Sequence, residues 1–264
     1  MTKLAGILNI TPDSFSDGGK YSKTKNDVLT YAEKLIVDGV DIIDIGAEST
    51  RPDATMLTAD EEWTRLSPVI NELINLTHKN NKQISLDSYH TQNIKKAIDL
   101  GIDFINDVSG INNKENIELL KKNRVPFVLT HNLGLPASKD ITIPDNENII
   151  AHLNTWILEI KKITHEHNIN LQQIIIDPGI GFGKTAKQSI EIINNIEKLN
   201  KGEFRIYIGH SKKSFLNYLY PKISQDRSIE TLEVSKLLIN KNIDFLRVHD
   251  IAIHREYISN LQKR

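Results

Sequence analysis

Short apolar runs recur along this chain, and each gives way to polar residues at the same end. The runs are Leu4 to Leu8 before Asn9, Ile42 to Ile45 before Glu48, Ile84 to Leu86 before Asp87, and Phe104 to Ile105 before Asn106. They continue with Phe127 to Leu129 before His131, Ile174 to Ile176 before Asp177, Ile206 to Ile208 before His210, and Phe245 to Leu246 before Arg247 and His249. A short continuous apolar run reads as a parallel strand buried on both faces. The stretches between have helical period: Val28, Tyr31, Ala32, Leu35 and Ile36 share one face, as do Leu153, Trp156, Ile157, Ile160 and Ile163. The pattern predicts an α/β fold, the eight-stranded parallel β/α (TIM) barrel, with an active site at the carboxyl ends of the strands. No internal repeat is evident beyond this alternation. Three strand-to-helix connections are long, roughly Thr11 to Lys25, Ala47 to Ala59 and His131 to Glu147. Long loops in a compact domain are more often functional than accidental.

Composition narrows the picture. A length of 264 residues suits one barrel domain spanning 1–264. A net charge of −1 gives no reason to expect nucleic acid or an anionic membrane as partner. The absence of cysteine excludes disulfides and thiolate chemistry and fits the cytoplasm, the expected location. Leu4 to Ile10 is too short and too polar for a signal peptide or a membrane span. The first strand begins abruptly, so a preceding segment or an upstream domain stays open.

The long connections carry the candidate chemistry. Asn9-Ile-Thr-Pro-Asp-Ser-Phe-Ser-Asp-Gly-Gly19 is either a surface turn or a flap that closes Phe15 over a substrate. Gly46-Ala-Glu-Ser-Thr-Arg-Pro52 places Arg51 where it could hold a carboxylate or phosphate. Asp177-Pro-Gly-Ile-Gly-Phe-Gly-Lys-Thr185 fails the phosphate-loop and dinucleotide spacings, leaving a glycine-rich turn with Asp177 at the strand end and Phe182 as an apolar wall. Gly209-His-Ser-Lys-Lys-Ser-Phe215 is expected to open a helix whose amides, with Ser211, Lys212, Lys213 and Ser214, favour an anion. Alternation points Arg247 and His249 to the same side.

Asn9 to Gly19, Gly46 to Pro52, Asn106-Asp-Val-Ser-Gly110, Asp177 to Lys184 and Arg247-Val-His-Asp250 resemble the dihydropteroate synthase family over essentially the whole chain. The resemblance implies a transferase of folate biosynthesis that joins 6-hydroxymethyl-7,8-dihydropterin pyrophosphate to 4-aminobenzoate, releases pyrophosphate and is a target of sulfonamides. It implies that Asp87, Asn106, Asp177 and Lys213 hold the pterin. Asn9 would bind Mg²⁺, and Arg247 and His249 the pyrophosphate. Thr50, Pro52, Phe182, Lys213 and Ser214 would form the aminobenzoate slot, closed by Phe15. Asp17 would favour a transient cation as pyrophosphate leaves, with Arg51, Lys213, Arg247 and His249 the other catalytic candidates. A homodimer is expected, with Leu232, Val234, Leu237 and Leu238 as a candidate face.

The chain departs from the family pattern in three places. Thr130-His-Asn132 stands where Met-His-Met is usual, Ser211-Lys-Lys-Ser214 where Ser-Arg-Lys-Ser is usual, and Gln188-Ser189 where His-Asn is common. Two other readings are a methyltetrahydrofolate corrinoid methyltransferase relative and a noncatalytic pterin-binding paralogue. Asp17, Arg247 and His249 argue against the first; the altered Thr130 to Asn132 segment is the only support for the second.

Overall fold

A computed structural model describes residues 1–10, 24–49, 55–135, 140–199, 202–220, 223–241 and 243–263. Eight parallel strands close into one barrel in the order β1 to β8. They are Lys3–Asn9, Ile42–Gly46, Gln83–Asp87, Phe104–Asp107, Phe127–Thr130, Ile174–Asp177, Arg205–Ile208 and Phe245–Val248. The seam is β1 against β8, with Ala5 opposite Arg247. Helices α1 (Lys25–Val37), α2 (Ala59–Leu66), α3 (Ile70–Lys79), α4 (Thr91–Asp99) and α5 (Lys114–Lys122) lie between the first five strands. They are followed by α6 (Ile149–Glu166), α7 (Ala186–Asn194), α8 (Leu216–Leu219), α9 (Ser228–Asn240) and α10 (Ile251–Gln262). No described helix is long and apolar enough to cross a membrane.

Local chemistry starts the helices where the chain must turn back. Thr24 with Asp27, Thr58 with Glu61, and Thr185 with Gln188 form reciprocal capping boxes at α1, α2 and α7. The apolar stripes of the helices then bury against the outer face of the strands. On α6, Leu153, Trp156, Ile157 and Ile160 join that core, with Ile163 packed at its margin. Val234 and Leu238 of α9 are fully buried in the same core, so they face the barrel; only Leu232 and Leu237 of that quartet are left for a partner.

A repeated device closes the amino-terminal end of the barrel, and the sequence reading missed it. Asp41 accepts from Leu4 N, Asp103 from Ile84 N and Asp244 from Ile206 N, each at 2.8 Å. Each aspartate stands one residue before its own strand and ties down the preceding one, across the β1/β2, β3/β4 and β7/β8 seams. The segments Gly39-Val-Asp-Ile-Ile, Gly101-Ile-Asp-Phe-Ile and Asn242-Ile-Asp-Phe-Leu are the internal repeat that produces this.

Candidate active site

Strand alternation sorts the barrel interior into two levels. Ala5, Ile42, Phe104, Val128, Ile175, Tyr207 and Phe245 form a buried apolar floor. Two residues further along the strands, the inward positions become Ile7, Asp44, Asp87, Asn106, Thr130, Asp177, Gly209 and Arg247. Polar groups thus sit on a dry base at the carboxyl ends of the strands, where low polarity strengthens each hydrogen bond and raises the cost of leaving one unmade.

Arg247 organises one half of this layer. Its Nε donates to Asp44 Oδ2 and its Nη2 to Asp87 Oδ2, while Asn106 Nδ2 donates to Asp44 Oδ2 at 3.2 Å. Burial opposes the guanidinium charge, but Asp87 and Asp44 outweigh it and keep Arg247 ionised. Burial raises the pKa of Asp87, against the lowering influence of Arg247. Asp44 Oδ1 and the Tyr207 hydroxyl are buried without a hydrogen-bond partner. Asp44 joins the candidate site through Arg247 and Asn106, and the sequence pattern does not single it out because it lies inside the run Ile42 to Ile45. The available signal was a lone carboxylate on the inward phase of that run.

The other half is built on the glycine-rich turn. Asp177 Oδ1 accepts from Gly179 N at 2.7 Å, and burial raises the pKa of this carboxyl. Lys213 Nζ donates to Ile180 O and lies 4.7 Å from the Phe182 ring centroid. Burial pulls the Lys213 ammonium down to about 8, against the attraction of Asp177. Gly179 has φ +70°, and a Cβ there would stand 1.9 Å from His131 O, so only glycine lets the turn lie on β5. Lys184 fastens the same junction. Its buried Nζ donates to Phe182 O and His131 Nδ1, both at 2.9 Å, and to His131 O at 3.3 Å. Burial and the neighbouring Lys184 keep His131 neutral, so its Nε2 donates to His152 and His152 Nδ1 donates to Glu147. His131 and Lys184 were not among the candidate residues, although both lie within quoted segments.

The departures from the family pattern acquire physical roles. Thr130 is buried and faces inward, whereas Asn132 donates to Val108 O and ties the β4 and β5 connections together. In Asn106-Asp107 the alternation divides the labour. Asn106 faces the layer, and Asp107 accepts from Ser109 N and Asn116 Nδ2, with burial pushing its pKa up to about 6.

Ser211 to Ser214 do not open a helix as expected. Lys212 adopts a left-handed φ of +60°, and α8 begins only at Leu216. The chain leaves β7 too tightly to enter a helix at once, because Lys212 N is drawn to Thr231 Oγ1 of α9. Lys212 pairs with Asp226 and Asp250, which removes it from the anion-binding set. Ser211 and His249 meet, Oγ to Nδ1 at 2.8 Å, and Ser214 is exposed beside Lys213. Asn9 closes β1 on the inward phase. Asp17, Phe15, Thr50, Arg51 and Pro52 lie outside the described residues.

The family model described as pterin binding enzyme matches residues 5–249. The chain belongs to the pterin binding enzyme family. Among relatives of this pterin binding enzyme, the dihydropteroate synthase of Clostridium beijerinckii is 34% identical over 255 residues, 95% of this chain and 89% of that protein. The folate synthesis bifunctional protein of Chlamydia caviae is 33% identical over 262 residues; the alignment covers 98% of this chain, which spans 58% of that longer protein. The crystal structure of dihydropteroate synthase from Anaplasma phagocytophilum with bound 6-hydroxymethylpterin-monophosphate superposes with a TM-score of 0.88 at 32% identity, covering 99% of both chains.

Proposed function

We propose that this pterin binding enzyme is a dihydropteroate synthase, condensing 6-hydroxymethyl-7,8-dihydropterin pyrophosphate with 4-aminobenzoate to give 7,8-dihydropteroate and pyrophosphate in folate biosynthesis. The observation that carries the reading is the polar layer of Asp87, Asn106 and Asp177 over the apolar floor, with Lys213 at its side. Carboxylate and amide acceptors suit the amino and ring N–H groups of a flat pterin, and Lys213 suits its carbonyl oxygen.

The chemistry asked of these residues is electrostatic. Loss of pyrophosphate from the pterin methylene takes the C–O electron pair with it and leaves a ring-stabilised cation. The neutral aniline nitrogen of aminobenzoate attacks it and then gives its acidic proton to water or to the departed pyrophosphate, so no strong base is needed. Asp17 from the first connection favours the cation, and Arg51 from the second binds anionic groups. Arg247 fixes Asp87 and Asp44 for the pterin and, with His249, faces the departing anion. Phe15, Thr50, Pro52, Phe182 and Ser214 shape a dry slot for aminobenzoate. Asn9 offers a single neutral amide oxygen, which suits an Mg²⁺ ion that keeps most of its water and takes its anionic ligands from pyrophosphate. Bound there, Mg²⁺ would neutralise charge on the leaving group.

We also assign the enzyme to the cytoplasm as a homodimer, a state that sedimentation of the purified chain checks. The test of the activity is turnover. With both substrates and Mg²⁺ the chain should release one pyrophosphate per dihydropteroate, and chelation should suppress the rate. Undiminished activity after thorough chelation would remove the metal from the mechanism. Absence of product under every metal condition would leave a noncatalytic pterin-binding paralogue, and methyl transfer to a corrinoid protein would favour the methyltransferase reading.

A further inference from the structure

Glu48, Glu62 and His90 converge at the neck of the second connection and have no part in the chemistry above. Glu48 follows β2, Glu62 belongs to α2 and His90 precedes α4. One ligand atom from each lies within 4.8 Å of the other two. The group is enclosed: Glu62 is fully buried, and the Glu48 and His90 side chains are 5% and 14% exposed. Glu48 Oε1 accepts from Leu57 N at 2.9 Å and Tyr89 OH at 2.8 Å, and its Oε2 faces His90 Nε2 at 2.9 Å. Glu62 Oε2 accepts from Ser88 Oγ at 2.8 Å and Asn93 Nδ2 at 2.7 Å. Its other oxygen, Oε1, is buried with no hydrogen-bond partner.

Two carboxylates enclosed together repel, and among the described residues no lysine or arginine pairs with either. Burial accordingly raises the pKa of Glu62. A proton on Oε1 would relieve the charge but would itself be a buried donor without an acceptor, an unfavourable exchange. A divalent cation meets every demand at once. It neutralises two carboxylates, takes the place of the proton that Glu48 favours on the His90 imidazole, and gives the orphaned oxygen a partner.

We propose that Glu48, Glu62 and His90 form a second divalent-cation site, separate from Asn9, which takes a first-row transition ion of the Zn²⁺ or Mn²⁺ class. An imidazole among the ligands favours such ions over Mg²⁺ and Ca²⁺, which prefer oxygen alone. Bonds of about 2.0–2.2 Å require the three side chains to draw together around the ion and the Glu48–His90 hydrogen bond to give way. Because Glu48 also holds Leu57 N, the ion would bind the far end of the connection carrying Thr50, Arg51 and Pro52 to α2 and α4.

The test is calorimetric titration of the full chain with Zn²⁺ in excess Mg²⁺, paired with anomalous diffraction from a Zn²⁺-soaked crystal. The expected result is one saturating equivalent and an anomalous peak between the three residues. Affinity should fall at least about tenfold in Glu62→Gln and in His90→Gln, since even outer partners of metal ligands commonly carry that much. Zn²⁺ should raise Tm of the parent chain more than that of either variant. His90→Gln, at the most exposed of the three side chains, keeps the test open should Glu62→Gln fold poorly. No saturable binding, parental affinity retained in both variants, or a peak only elsewhere, such as at His131, His152 and Glu147, would overturn the proposal.

Discussion

Asp177 and Lys213 show how far single side chains carry the reading. Gly179 N occupies one oxygen of Asp177, leaving the other for a ligand. Asp177→Asn replaces a charged acceptor with an amide whose NH₂ face meets pterin donors, so pterin binding should weaken by roughly 1–3 kcal/mol. Calorimetry with a pterin analogue measures this; unchanged affinity would reduce Asp177 to bracing the turn. Lys213 gives a pH dependence. Its ammonium, lowered by burial to about 8, must be protonated to donate to a pterin carbonyl. Affinity should therefore hold below pH 8 and decline as pH rises through it, well short of the usual lysine range near 10.5. Lys213→Arg should shift that decline upward, because a guanidinium stays charged. The fold responds with the opposite sign: the ammonium costs stability while charged, and that cost is relieved as pH rises from about 8 toward 10.5.

The strand and its two ends are the next unit, and the ends do different work. At the amino end Asp103 accepts from Ile84 N and contacts His78 Nε2 at 2.9 Å, far along the strands from the polar layer. Asp103→Ala leaves a buried amide unpaired, which should cost roughly 1–3 kcal/mol of stability. Thermal melting should show a lower Tm with kcat retained, in keeping with the amino end of a barrel as its stability face. A drop in kcat without loss of Tm would contradict this separation. At the carboxyl end the same alternation delivers function, because the inward phase that supplies Phe104 and Phe245 to the floor supplies Asn106 and Arg247 one step later.

For the whole molecule, the proposed aminobenzoate slot would draw on Phe15, Thr50 with Pro52, and Phe182, which belong to three separate connections of the sequence. Such a slot should form fully only when pyrophosphate and Mg²⁺ have drawn the connections together. A sulfonamide shares the ring, aniline nitrogen and acidic end of aminobenzoate, so its affinity should rise sharply in the presence of pyrophosphate. It should compete with aminobenzoate, and Phe182→Ala or Ser214→Ala should weaken both compounds while sparing pterin. Sulfonamide titration with and without pyrophosphate decides the matter; equal affinities would mean that the slot exists before the anion arrives.

The sequence by itself determined the number of strands, their direction and the end that bears the chemistry, because a parallel strand buried on both faces is largely apolar and its polar residues gather toward one end. It also brought Asp87, Asn106, Asp177 and Arg247 into view, since each interrupts such a run. Tertiary structure decided what those residues face. Arg247 lies more than two hundred positions from Asp44, and only barrel closure makes them partners. The same closure exposed Asp44 as an inward carboxylate within an apolar run, separated Asn106 from Asp107 by strand phase, and turned Val234 and Leu238 toward the core. It moved the expected helix start to Leu216, because Lys212 answers to Thr231 on a distant helix. Local pattern records which side chains are buried; which buried groups meet is set by strand register, and register is a property of the closed sheet.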